Sequence, residues 1–229
     1  MLHRSLALIT ALTAGLAVGV TACDTWPGGK KAALLEGQRI SVLAHEQTSK
    51  PGAGPPIQVA LPQPHHNESW SQTGGHSRHA MHHLNIAESI RQVWREDGGR
   101  GTGSRDRLLA GPVVAEGRVY MVDANAVVRA VDAHSGARLW QTTLLPKGEE
   151  IDALLTGGLA YEEGRLFVTT GWGEVVALRA ATGEKLWRRG VGAPVRAAPA
   201  VSSGRLFVIN KENDVRALAT DSGIEVWCH

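Results

Sequence analysis

The chain has 229 residues, with 24 Lys and Arg against 22 Asp and Glu, a formal net charge of +2. That near-balance excludes a nucleic-acid binder that relies on a basic surface, and 43% hydrophobic residues exclude wholesale disorder. Glycine is abundant at 27, the 7 tryptophans outnumber 2 phenylalanines and 2 tyrosines, and two cysteines, Cys23 and Cys228, are too few for a disulfide framework.

At the N-terminus a short basic start ending at Arg4 leads into Leu6 to Val20, which carries no charge. About 15 residues is short for a bilayer span and suits the apolar core of an export signal. The run ends in Val20-Thr21-Ala22-Cys23, small residues before a cysteine, the pattern of a bacterial lipobox. Residues 1–22 are therefore expected to be a lipoprotein signal peptide and Cys23 the lipidation site, the alternative being a buried helix with a chance cysteine. Acyl chains there would hold the protein on a membrane, each buried methylene adding about 0.8 kcal/mol. The expected location is the outer membrane, facing the periplasm. Asp24 leaves inner-membrane retention open.

Residues 23–67 read as a Pro-rich tether, since six of the ten prolines (Pro27, Pro51, Pro55, Pro56, Pro62 and Pro64) lie in it. Such a composition favours an extended, solvated segment, with one strand-like stretch at Arg39 to Leu43. Histidine concentrates at the far end of the tether and just beyond it, with seven of ten between His45 and His83. The spacing of His79, His82 and His83 would put them on one face of a helix, as a metal site requires. No Cys, Asp or Glu accompanies them in the same short stretch, so a solvated polar segment is expected and no metal site is assigned.

From there on the chain repeats. Each unit carries an X-Gly turn and a strand (Gly117-Arg-Val-Tyr-Met-Val, Gly164-Arg-Leu-Phe-Val-Thr, Gly204-Arg-Leu-Phe-Val-Ile), then a third strand, a Ser/Thr-Gly turn and a tryptophan strand. Ala130 to Trp140, Ala177 to Trp187 and Ala217 to Trp227 share one spacing, with Gly136, Gly183 and Gly223 at the same place within it. An earlier strand, Ile90 to Arg95, ends on Trp94 without a Ser/Thr-Gly turn. Four short strands every 40-odd residues predict an all-β chain of β-propeller blades. The repeats lie near 108–142, 154–189 and 196–228 within a propeller region spanning 68–229. Trp94, Trp140, Trp187 and Trp227 are then packing residues, one large indole between neighbouring sheets, rather than stacking platforms for a ligand.

The alanine-to-tryptophan ending resembles the tryptophan-docking repeat of the pyrroloquinoline-quinone-type propellers. Together with the lipobox, the tether, Trp70-Ser-Gln-Thr-Gly-Gly75, His79-Ala-Met-His-His-Leu84, Thr170-Gly-Trp-Gly-Glu-Val-Val-Ala-Leu178 and Gly192-Ala-Pro-Val-Arg-Ala-Ala-Pro199, it resembles the BamB-type lipoproteins of the β-barrel assembly machine. The resemblance implies an eight-bladed ring, of which this chain holds about three blades and one closing strand, Ile90 to Arg95. The expectation is a C-terminally truncated fragment. It implies a scaffold with no cofactor, partnered by the barrel-forming subunit BamA, other members of the assembly complex and unfolded outer-membrane proteins. Candidate contact residues are Lys147, Glu149 and Glu150 in one inter-blade loop and Arg188, Arg189 and Arg196 in the next, although the arginines could equally be solvated charges. The rival is a quinone-dependent dehydrogenase or another periplasmic ligand-binding propeller. A dehydrogenase would need a quinone pocket, a catalytic aspartate and a Ca²⁺ site of hard oxygen ligands. No catalytic residue is assigned.

Overall fold

Strands arise here where apolar and β-branched residues run for three to six positions between turns that need a left-handed backbone. The computed structural model describes residues 60–103, 108–145 and 157–229, all within one unit, Val59–His229. The signal, Cys23, most of the tether, and Lys147, Glu149 and Glu150 lie outside the described residues.

Twelve strands follow in chain order: β1 Val113–Ala115, β2 Arg118–Val122, β3 Val127–Asp132, β4 Arg138–Thr143, β5 Gly158–Glu162, β6 Arg165–Thr169, β7 Glu174–Arg179, β8 Lys185–Gly190, β9 Ala200–Ser202, β10 Arg205–Ile209, β11 Val215–Ala219 and β12 Glu225–Cys228. They form three four-stranded antiparallel sheets, each in sequence order. The first strand of the middle sheet, β5, touches both β1 and β9, so the sheets converge on their first strands. This is an incomplete β-propeller of three blades.

The first hairpin of each blade has a two-residue loop, Glu116-Gly117, Glu163-Gly164 or Ser203-Gly204, with both residues at φ between 47 and 76°. Two left-handed residues make the turn whose twist matches the flanking strands, and glycine takes the second position without a side-chain penalty. Each third strand also carries an irregularity after its alanine, at Ala130/Val131, Ala177/Leu178 and Ala217/Leu218.

Packing follows from which faces are covered. Tyr120, Val122, Val128 and Ala130 of the first blade meet Leu159, Leu166, Val168, Val176 and Leu178 of the second. Phe167, Val175 and Ala177 on the other face of that second blade meet Val201, Leu206, Val208 and Leu218 of the third. The middle sheet is thus covered on both faces, which is why β6 and β7 are near-continuous apolar runs instead of alternating. Each fully buried Leu or Phe contributes roughly 1.5–3 kcal/mol of transfer free energy.

Two segments before the first blade stand outside the ladders. Ile90 to Arg95 pairs with none of the twelve strands among the described residues. The His79–His83 segment is not a helix: His79 and His82 stand at φ 53° and 50°, which breaks the spacing that would align the three rings.

Candidate functional site

The tryptophans work between blades. Within a blade the second, third and fourth strands align Tyr120, Ala130 and Trp140; Phe167, Ala177 and Trp187; and Phe207, Ala217 and Trp227. The alanine between two aromatics lets their rings meet above it, with centroids 6.0, 5.9 and 6.1 Å apart. Trp140 and Trp187, and Trp94 before them, then reach the following blade's Ser/Thr-Gly turn. A Cβ built on Gly136, Gly183 or Gly223 would stand 2.7, 2.5 or 2.6 Å from Trp94, Trp140 or Trp187 respectively. The same indole N–H groups donate to the carbonyls of Ala133, Ala180 and Thr220 at 2.9, 2.9 and 3.1 Å. Glycine is needed twice over at these turns, for φ of 67 to 73° and for the ring lying on its Cα. Trp94 therefore takes the same seat as the others although its segment has no ladder. Trp227 has no following blade among the described residues and is 40% exposed.

A second device ties blades together at their polar turns. The buried Asp123 carboxylate accepts from the amides of Asn125 and Val127 at 2.9 Å each, from the Arg100 amide at 3.2 Å and from Arg129 at 2.7 Å. Arg129 also donates to the Gly98 carbonyl, clasping the segment after Trp94 onto the first blade. In the third blade Asn210 takes the same place: its amide donates to Val191, and its oxygen accepts from Glu212 and Asp214.

The loop arginines divide. Arg188 is committed to the fold, paired with Glu174 at 3.2 Å and donating to the Leu144 carbonyl of the first blade. Glu174 also accepts from the Trp172 indole. Arg189 is exposed within β8, and Arg196 is exposed in the loop that follows it, whose Val191, Ala193 and Val195 are buried. The inter-blade loop expected from Arg188 starts only after Gly190, because Arg188 and Arg189 pair with Val176 and Val175 of β7. The expected contact segment thus presents two charges on an anchored backbone. No signal in the sequence distinguishes Arg188 from its neighbour, because its partners come from Glu174 and from a carbonyl 44 residues away.

Titrating groups near the blade joints are structural. Burial, reinforced by a hydrogen bond with Glu116, pushes the Tyr161 phenol up to about 12. Its ring stacks on Tyr120, with centroids 6.2 Å apart. Burial also raises the phenol of Tyr120. A cleft of about 620 Å³ lies beside the first blade, lined chiefly by Trp70, Leu109, Pro112 and Val114, with Glu68 as its titratable side chain. Among the described residues no three His, Cys, Asp or Glu side chains converge to hold a metal.

Comparison with known proteins adds the following. Residues 81–148 and 124–229 match the family model described as outer membrane protein assembly factor BamB. A protein of that name from Yersinia pestis is 28% identical over 140 residues, covering 59% of this chain and 35% of the relative. The 1-butanol dehydrogenase (cytochrome c) of Thauera butanivorans is 30% identical over 134 residues, covering 54% of this chain and 19% of the relative. Among solved structures, the quinohemoprotein alcohol dehydrogenase of Comamonas testosteroni superposes with a TM-score of 0.57 at 21% identity, over 71% of this chain and 27% of that one. This last likeness is one of fold. The chain spans about a third or less of the length of these relatives.

Proposed function

Because the chain belongs to the family of the outer membrane protein assembly factor BamB, we propose that it is a scaffold of outer-membrane protein assembly. It acts in the periplasm, anchored to the outer membrane by lipid on Cys23, and works through protein contacts rather than chemistry. The carrying observation is the family match across all three blades. The state of the buried polar groups supports it. Gln72, Asp123, Thr169, Thr170 and Asn210 direct their side chains at backbone groups of neighbouring turns and strands. A catalytic site aims such groups into a cavity; these hold a frame rigid so that its loops can be recognised.

The proposed contact is the segment from Arg188 to Arg196, through Arg189 and Arg196, with the barrel-forming subunit BamA as partner and unfolded outer-membrane proteins as clients. Arg188 serves the loop by pinning it. The double charge reversal Arg189→Glu, Arg196→Glu should weaken capture of the purified periplasmic part of the barrel subunit about tenfold at physiological salt, while leaving the circular dichroism spectrum unchanged. Capture at wild-type strength by a folded double variant removes this segment from the interface.

A second reading, a dehydrogenase-like propeller, is favoured by the 30% identity to the Thauera enzyme. Fold alone carries many functions, and the family match favours the scaffold.

A further inference from the structure

The Trp70-Ser-Gln-Thr-Gly-Gly75 stretch takes no part in the loop contact, yet it touches all three blades. Trp70 exchanges backbone hydrogen bonds with Val114 of β1, at 2.7 and 2.9 Å. One residue on, the Ser71 carbonyl accepts from the Tyr161 amide at the end of β5, at 2.7 Å, and Gln72 bridges Ala160. The third blade is reached by a side chain. The Gln72 amide oxygen accepts from the Val201 amide at 2.9 Å, and its nitrogen donates to the Val201 carbonyl at 3.2 Å. A primary amide has one acceptor and donors on adjacent atoms, as a strand residue has, so Gln72 stands in for a paired strand residue on β9. Its side chain is 3% exposed. The turn at Gly74 and Gly75, with φ of 82° and 97°, leads the chain away immediately afterwards.

The first strands of the blades would otherwise present unpaired backbone edges where the sheets converge, and buried backbone groups must be paired. We infer that Trp70–Gln72 is an axial strap that closes these edges and joins the three blades into one cooperative unit, with Gln72 as the residue that holds the third blade in register. Three residues thereby supply what a separate partner strand would have to give to each sheet. The strap links residues 129 apart in sequence at Gln72 and Val201, so it joins the two ends of the array directly instead of through the middle blade.

Amide hydrogen exchange on the full chain tests both parts. In the wild type, the Val114, Tyr161 and Val201 amides should exchange at the rate of the slowest ladder amides, such as those of Leu166 and Leu206, because all open together. Exchange more than about a hundredfold faster at these three would make the strap a local flap and overturn the inference. In Gln72→Ala, exchange at Val201 should rise about ten- to a hundredfold with little change at Val114, since two buried hydrogen bonds are lost on one side only. A folded variant with Val201 as protected as in the wild type would refute the role of Gln72. If Gln72→Ala does not fold, Gln72→Met, which keeps the length of the side chain and loses both the acceptor and the donor, gives the same reading at Val201.

Discussion

Gly183 bears two constraints at once. Its backbone sits at φ 73°, and an added Cβ would lie 2.5 Å from the Trp140 ring and 2.7 Å from the Thr142 hydroxyl. Gly183→Ala therefore meets left-handed strain and overpacking together, and should lower stability by about 2–4 kcal/mol in urea unfolding. Gly164 is the control: its φ is similar at 76°, but nothing lies within 4 Å of its would-be Cβ, so alanine there should cost only the backbone strain, about 1 kcal/mol. Equal losses at the two sites would show that the indole does not press on Gly183. The partnership itself was not legible in the sequence. Tryptophan and glycine recur with fixed spacing inside each repeat, which suggests that they serve the same blade. In space each glycine meets the tryptophan of the preceding one.

At the scale of the element, the turns between the third and fourth strands share a backbone plan but differ in the side chain that opens them. The amides of Gly136, Gly183 and Gly223 donate to the carbonyls of Asp132, Arg179 and Ala219 respectively. In the first turn alone that residue is acidic. The Ser135 amide and hydroxyl, with help from the His134 amide, hold the Asp132 carboxyl below its ordinary range. A depressed folded value means that the stabilisation is complete above the unfolded value, about pH 4, and is lost as pH falls through the lower folded value. Acid should therefore loosen the Trp94 seat before the other two, seen as faster exchange at Ser135 and Gly136 than at Gly183 and Gly223. Simultaneous loosening of all three would rule out Asp132 as the cause. The strands themselves were legible to within a residue or two, because period-two alternation and X-Gly loops are local signals. Ile90 to Arg95 shows what such signals leave open: its apolar residues and tryptophan read as a strand, but a ladder depends on a neighbour that local sequence does not contain. Gln72 was passed over because a single side chain imitating backbone leaves no periodic trace.

For the whole molecule, the question is whether a propeller related in fold to dehydrogenases performs their chemistry. The expected outcome is that the full chain, supplied with pyrroloquinoline quinone, Ca²⁺, primary alcohols and an electron-accepting dye, reduces no dye above the protein-free rate. Sustained turnover would overturn the scaffold reading in favour of the enzyme. The site followed the sequence unevenly. The segment from Arg188 to Arg196 could be picked out by its charge, yet only three-dimensional neighbours separate the arginine that braces it from the two that face solvent.

The tryptophan seats also give the array a direction. At both junctions between the described blades the earlier blade extends an indole and the later one offers a glycine turn, so the two sides of a blade are unlike and complementary. Successive tryptophans at 94, 140, 187 and 227 are 46, 47 and 40 residues apart, and the seat is the same despite the changing interval. A gene segment encoding one such unit can be duplicated in tandem and each new junction arrives already matched, tryptophan to glycine. Reversing the order of its strands would destroy every junction at once. Growth by whole repeats is thus an inheritance written into the joint itself, independent of how many units a given descendant carries.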